Sequence, residues 1–422
     1  AQWRIEKTGH GILAFVTNHG YLDNPTFRGM RQSLLQSFDE IYLLDLHGNS
    51  KKKEKTPQGG KDENVFDIQQ GVAIGIFVRK PGIKRWTGDM AQVRHFDLYG
   101  LRKEKYAILN AEDVESTRWS ELKPASPYYY FVPQDGSLLG EYETGWKVTD
   151  IMPTYRLGPN SHRDEFAVAF DETTAKSRIS DLRDKNYSDQ SIRDKYKIED
   201  TRDWQLHIAR DWIDEDTRPV KCIYRPYDFR WMLYGKYAFD YHRPEINDSL
   251  IAGNLGLIFT RNTRESFATF ITSLPVAQHK IATPYDGSYI APLYIKSLDI
   301  DVGNHVNISK GFTAALQSAQ GRIITPEDTL AYLYAVLYTP GYRTRYADSL
   351  RRDFPRVPLT SDKALFKKLV ALGHELIALH TLQTTPPRIT GFPVAGTGEV
   401  VKVRFQIAAG QAAGRVWIND AQ

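Results

Sequence analysis

Three apolar runs decide the fold class at the start of the chain: Gly11-Ile-Leu-Ala-Phe-Val-Thr17, Glu40-Ile-Tyr-Leu-Leu-Asp-Leu46 and Val72-Ala-Ile-Gly-Ile-Phe-Val78. The first, a short apolar run after a Gly turn, has the pattern of a strand buried on both faces of a parallel sheet; the second reads as another buried strand and the third as a strand. Between the first two runs, Phe27, Met30, Arg31, Leu34, Leu35 and Phe38 recur at helical spacing within Asn24 to Phe38. Between the last two lies a polar loop, Gly48 to Glu63, carrying Lys51, Lys52, Lys53, Lys55 and Lys61. Strand, helix, strand, loop, strand is the edge of an α/β sheet, too little to close a core by itself. Residues 1–85 therefore read as an α/β fragment. The missing strands are expected upstream, with Ala1 as a cut inside a larger protein.

From about Pro81 the texture changes. Short β-like runs (Val93–Tyr99, Tyr128–Val132, Phe166–Phe170, Leu255–Thr260 and Tyr289–Ile295) alternate with Pro, Gly and aromatic turns, and Glu172 to Tyr196 is highly charged and helical or mobile. Thr325-Pro-Glu-Asp328 is a helix start, with Thr as N-cap, Pro in the first turn and acids near the positive helix end. Leu330, Leu333, Tyr334 and Leu337 form its apolar stripe, and Pro340-Gly341 ends it. A second helix follows Thr360-Ser-Asp362 and carries Leu365, Phe366, Leu369, Leu372 and Leu376. The tail, Glu399 to Phe405 and Gly414 to Ile418, reads as a hairpin. Residues 86–422 thus form an α+β domain with a helical section at 320–382.

Composition narrows the function without choosing it. At 422 residues the chain is long enough for two or three domains, and 41% hydrophobic with 25% charged residues is ordinary for a globular protein. The net charge of +4 and the many rings beside Arg or Lys suit an anionic, flat partner, but they also suit core packing. Cys222 is the only cysteine, which excludes an internal disulfide and a cysteine-rich zinc site and fits a reducing cytoplasm. No apolar run reaches the roughly 20 residues of a membrane span. His374 and His380 stand six apart and share no helix face well, so no metal site is expected.

The first 80 residues resemble the final segments of methyltransferases that act on adenine N6. The blocks that carry this are Gly11 to Asp23, Phe27-Arg-Gly-Met-Arg31, Ile41-Tyr-Leu-Leu-Asp-Leu-His-Gly-Asn49, Asn64-Val-Phe66 and Gly71-Val-Ala-Ile-Gly-Ile-Phe-Val-Arg79. The whole chain is similar to type ISP, or single-chain type I, restriction–modification enzymes. Further blocks agree: Tyr224-Arg-Pro-Tyr-Asp-Phe-Arg-Trp231, Ala291-Pro-Leu-Tyr294, Tyr332 to Arg343 and Asp353-Phe-Pro-Arg-Val-Pro358. The resemblance implies the C-terminal part of an adenine-N6 methyltransferase in residues 1–85 and a target recognition domain in 86–422. It also implies duplex DNA as partner, S-adenosylmethionine as the complete enzyme's cofactor, and an upstream methyltransferase core with helicase and nuclease domains. The setting would be the bacterial cytoplasm at the nucleoid. The family's Gly-rich cofactor loop and its Pro-Pro-aromatic motif are missing; Asn24-Pro-Thr-Phe27 has Thr26 in place of the second proline and reads as a helix start. The chain alone is therefore expected to be inactive.

An enzyme that modifies a base inside a duplex must extrude and stack it. The resemblance places an aromatic face of that pocket at Phe66; the plainer reading is a core Phe. Lys51, Lys52, Lys53 and Lys55 suit phosphate neutralisation or a solvated loop. Arg225, Arg230, Tyr241, His242, Arg243, Arg261 and Arg264 lie in turn-rich stretches and could read guanine or hold phosphates; the alternative is ion pairing and cation–π packing. The rival functions are a stand-alone DNA specificity module, against which the first 80 residues argue, and a fragment of an RNA methyltransferase.

Overall fold

The three apolar runs become β1 (Gly11–Asn18), β2 (Glu40–Asp45) and β3 (Val72–Arg79) of one five-stranded sheet, ordered β1-β3-β2-β4-β5. β3 is antiparallel to both neighbours, pairing Gly11 with Arg79 on one side and Glu40 with Val78 on the other. β2 runs parallel to β4 (Gln92–Asp97), and β5 (Ser120–Leu122) closes the order antiparallel to β4. The sheet thus continues across residue 85. The computed structural model describes residues 1–50, 54–82, 90–133, 136–213 (backbone alone at 136–137), 217–261, 263, 266–296, 305–387, 391, 394–406 and 414–421. They divide into two compact units, Ala1–Thr381 and Leu382–Gln422.

β1 departs from the expected doubly buried strand. Among the described residues it pairs only with β3, and Ile12, Phe15 and Val16 stay 68%, 54% and 49% exposed. Of its larger apolar residues only Leu13 packs against the core beneath, which holds Leu34, Leu35, Phe38, Ile41, Leu43, Phe77 and Val93. β2 alternates buried and half-buried residues, because its second face is covered less completely.

The expected helix begins with a 3-10 turn, Pro25–Phe27, in which the Asn24 side chain accepts from the Thr26 amide. Helix α2 (Arg28–Ser37) follows α1 (Gln2–Thr8) in the chain. It buries Arg31, Leu34 and Leu35 and leaves Met30 outward. Arg31 is fully buried and donates to backbone carbonyls: Tyr128 O (2.9 and 2.7 Å), Tyr21 O and Asn24 O (both 2.8 Å). Burial lowers its pKa to about 10, and the carbonyl bonds replace the lost water. Tyr128–Val132 is a buried turn and not a strand. Arg31 holds the Tyr128 carbonyl and Phe131 plugs the core, which leaves no ladder to extend.

Further along, a four-stranded antiparallel sheet orders Thr269–Thr272, Gly256–Thr260, Ser288–Pro292 and Arg156–Leu157. A three-stranded sheet orders Val168–Ala169, Asp228–Tyr234 and Arg218–Arg225. Helix Pro326–Tyr338 is buried at every position from Thr329 to Leu337 and is capped by Thr325, as the sequence predicts. Helix Lys363–His380, capped by Asp362, lies so close that a Cβ on Gly373 would sit 2.0 Å from Ala331 O. Pro340 ends one helix and opens the next, Pro340–Arg345. The charged stretch after Phe170 forms helices Glu172–Arg183 and Asp189–Tyr196, ordered by caps at Asp171 and Ser188 and by buried Ala175, Ile179, Leu182 and Ile192. Leu382–Gln422 contains the expected hairpin, Arg404–Gln406 paired with Arg415–Trp417. Among the described residues no helix is long and apolar enough to cross a membrane.

Candidate nucleic-acid interface

Phe66 sits in the loop that enters β3 and is 44% exposed, while its neighbour Val65 is buried. The Phe66 amide donates to Asn64 Oδ1 (2.9 Å), and Asn64 Nδ2 donates to Gly48 O and Gln70 O. Gly48 has a left-handed φ of 79°, and a Cβ there would lie 2.4 Å from Asn64 Cα, so only glycine lets the two arms of the loop meet. Helix α3 (Arg102–Ala111) flanks the loop. Its Lys105 and the loop's Asp62 form a fully buried pair at 2.8 Å. Asp62 also accepts from the Gly48 and Gly100 amides. Removing one member of such a pair costs about 3–5 kcal/mol, because the other charge is stranded.

The tips of β2 and β4 carry a cluster that the sequence reading did not single out, although His19 and Asp45-Leu-His47 lie inside its resemblance blocks. His19 Nδ1 lies 2.9 Å from Asp45 Oδ1, and His47 bridges Glu54 (2.9 Å) and Asp97 (2.8 Å) through its two ring nitrogens. Tyr99 stacks on His47 at 3.7 Å between centroids. Burial opposes the charge on His47, but the hydrogen bonds to Asp97 and Glu54 and the Asp45 charge outweigh it and raise the pKa to about 10. Burial would raise Asp45 and Glu54, yet the histidines hold both carboxyls below their usual range. Donor atoms of His19, Asp45 and His47 lie within 4.8 Å of one another, as do those of Asp45, His95 and Asp97. In the first trio the ring nitrogens are already engaged in hydrogen bonds to Asp45, Asn49, Glu54 and Asp97. The cluster works as an ion-pair network. It forms one wall of a cavity of about 310 Å³, faced by Arg351 and Arg352.

The predicted DNA contacts fall in separate places. Arg225 and Arg230 lie on paired strands and both cover Tyr224, at 4.9 and 4.0 Å from its ring. Arg230 is also over Phe170 (4.4 Å), and its Nε and Nη2 donate to Asp228 (2.9 and 2.8 Å). Tyr241 donates to Asp203 (3.0 Å), and Arg243 lies over the Tyr241 ring. With His242 they line a second cavity of about 470 Å³ beside Trp204. Arg163, which the sequence reading missed, stacks on Trp204 at 3.7 Å and pairs with buried Asp240. Arg261 stands apart, over Phe354 and 3.7 Å from Asp353. Lys55 is exposed and bridges to Lys61 across the loop. Lys51, Lys52, Lys53 and Arg264 lie outside the described residues.

The Type ISP C-terminal specificity domain model matches residues 150–422. This chain belongs to that family. Three solved structures share the fold of the Type ISP chain. A DrdV–DNA complex matches 96% of it at 22% identity and a TM-score of 0.66, over 40% of its own chain. The ATP-dependent Type ISP restriction–modification enzyme LlaBIII bound to DNA matches 100% at 20% identity and 0.72, over 29% of its chain. A nuclease-deletion mutant of the Type ISP enzyme LlaGI with a DNA substrate mimic matches 98% at 19% identity and 0.67, over 39% of its chain. The chain thus spans well under half the length of these structures. No curated protein matches it.

Proposed function

We propose that this chain reads a defined sequence in duplex DNA for a restriction–modification enzyme. We further infer that its first sheet is the closing edge of an adenine-N6 methyltransferase that uses S-adenosylmethionine. The match of residues 150–422 to a specificity domain carries the first part. Three features support the second: β3 runs antiparallel between two parallel strands, β1 leaves an apolar edge unpaired, and an exposed Phe66 stands just ahead of β3. In this reading residues 1–85 belong to the methyltransferase and 86–422 to recognition, with β4 and β5 continuing the sheet from the recognition side. The remaining methyltransferase core and the helicase and nuclease domains are upstream partners, and the setting is the bacterial cytoplasm.

Phe66 would stack on the extruded adenine, a contact worth about 1–3 kcal/mol per base in single-strand binders. The family's Gly-rich cofactor loop and Pro-Pro-aromatic motif are missing from these 422 residues, so no methyl-transfer step is assigned to this chain.

The test is binding of labelled duplex DNA across salt concentrations, with structured RNA as competitor. Affinity should fall as salt rises, and RNA should compete poorly. Substituting a phosphate-holding Lys or Arg should lower the salt slope by about one. Affinity that ignores salt, or equal competition by RNA, would overturn the reading.

A further inference from the structure

Four consecutive carbonyls of the Phe66 loop are each held by a side chain of α3. Lys105 Nζ donates to Glu63 O (2.7 Å), Arg102 Nε to Asn64 O (2.7 Å), Tyr106 Oη to Val65 O (2.7 Å) and Arg102 Nη2 to Phe66 O (2.9 Å). The remaining Arg102 nitrogen, Nη1, pairs with Asp67 at 2.8 Å, and the Arg102 amide donates to Glu63 Oε2. One guanidinium therefore grips the backbone on both sides of Val65 and the side chain beyond Phe66. Such bonding is unusual for an exposed loop, whose carbonyls ordinarily face water. Its product is a fixed backbone beneath an exposed ring.

We propose that Arg102, assisted by Tyr106, is a positioning residue for the base-stacking ring of Phe66. Helix α3 follows the sheet strand β4, beyond the segments that carry the methyltransferase resemblance. The clamp would therefore let the recognition side set the geometry of the base pocket. This rests on the reading of Phe66 as a stacking platform. Arg102 touches neither base nor cofactor in this scheme; it acts through the Phe66 backbone. Sub-ångström placement matters because displacements of about 1 Å can slow a reaction about a hundredfold.

Lys105 is a poor probe, since its charge is buried against Asp62 and its loss would strand that carboxylate. The Arg102 side chain is 38% exposed, which makes it the safer one. The experiment uses the complete enzyme that carries this chain, with Arg102→Ala, Arg102→Lys, Tyr106→Phe, Phe66→Ala and the double variant Phe66→Ala/Arg102→Ala. Methylation is followed under single-turnover conditions, base extrusion by 2-aminopurine at the target, and loop order by hydrogen exchange at residues 63–67. Arg102→Ala should speed exchange in that loop, leave the melting temperature and duplex affinity near wild type, and slow methylation about tenfold or more. Lysine, which cannot bridge two carbonyls with a planar fork, should rescue little. In the Phe66→Ala background the second substitution should add almost nothing, because the ring it places is gone. If Phe66→Ala slows methylation and Arg102→Ala does not, the clamp is wrong and the stacking reading stands. If Phe66→Ala changes neither extrusion nor rate, the stacking reading fails first. Independent, multiplicative losses in the double variant would also overturn the clamp.

Discussion

His47 shows how much of this protein's chemistry depends on side chains far apart in sequence. Its ring is held by Glu54 and Asp97, stacked on by Tyr99 and neighboured by Asp45. None of these contacts follows a sequence period. The pKa raised to about 10 implies a direction for stability. A histidine whose folded pKa exceeds its unfolded value of about 6.5 stabilises fully below that value and loses the contribution as pH rises toward the folded one. Glu54 and Asp45, with lowered values, act in the opposite sense and lose their contribution as pH falls below the carboxylate range. Melting temperature should therefore decline between about pH 6.5 and 10, and His47→Asn should flatten that decline while lowering stability at about neutral pH. Thermal melting of both proteins across that range is the check; equal slopes would show that His47 carries no charge in the fold. Phe66 was singled out from its block, and the structure leaves its ring half exposed. Arg31 was legible only as a helix-face position: its partners are backbone carbonyls, which no residue pattern announces.

At the scale of elements, β1 is the informative strand. Its sequence is that of an interior strand, yet it forms a sheet edge with Phe15 more than half exposed. Exposed apolar edges invite pairing with another strand, which fits further methyltransferase strands along β1. Phe15→Glu separates the possibilities. In this chain alone it alters a surface position, and such changes usually stay within about 0.5 kcal/mol. In the complete enzyme it would bury an unpaired carboxylate at a strand junction, a large cost. The melting temperature should barely change in the chain and fall by several degrees in the complete enzyme. Equal small shifts in both would mean that nothing packs on this face. The runs that became β1, β2 and β3, and the caps at Thr325 and Asp362, could be read because ladders and caps leave local marks. The union of β4 with β2 could not, since parallel pairing joins Glu40 to Gln92 across more than fifty residues. The turn at Tyr128 was misread as a strand because buried rings mark turns and strands alike.

At the scale of the whole molecule, the proposed division between a methyltransferase edge and a recognition domain predicts how the isolated chain behaves. It spans 29–40% of the DNA-bound structures that share its fold. At the β2 and β4 tips His47, Asp97 and Glu54 hydrogen-bond one another and wall a cavity of about 310 Å³. Recognition surfaces need only Arg, Lys and aromatic side chains on a folded scaffold, and the stretch from Arg225 to Arg261 places such side chains on a strand pair, along one cavity wall and over Phe354. Duplex binding and cofactor binding should therefore separate. Calorimetry of the isolated chain with S-adenosylmethionine should give no one-to-one isotherm, while the same preparation binds duplex DNA with a salt-dependent affinity. Adding the cofactor should leave the DNA affinity unchanged, since a ligand without a site has no differential affinity through which to couple. A saturable cofactor isotherm would place a binding site within these 422 residues and would require the division between methyltransferase edge and recognition domain to be redrawn.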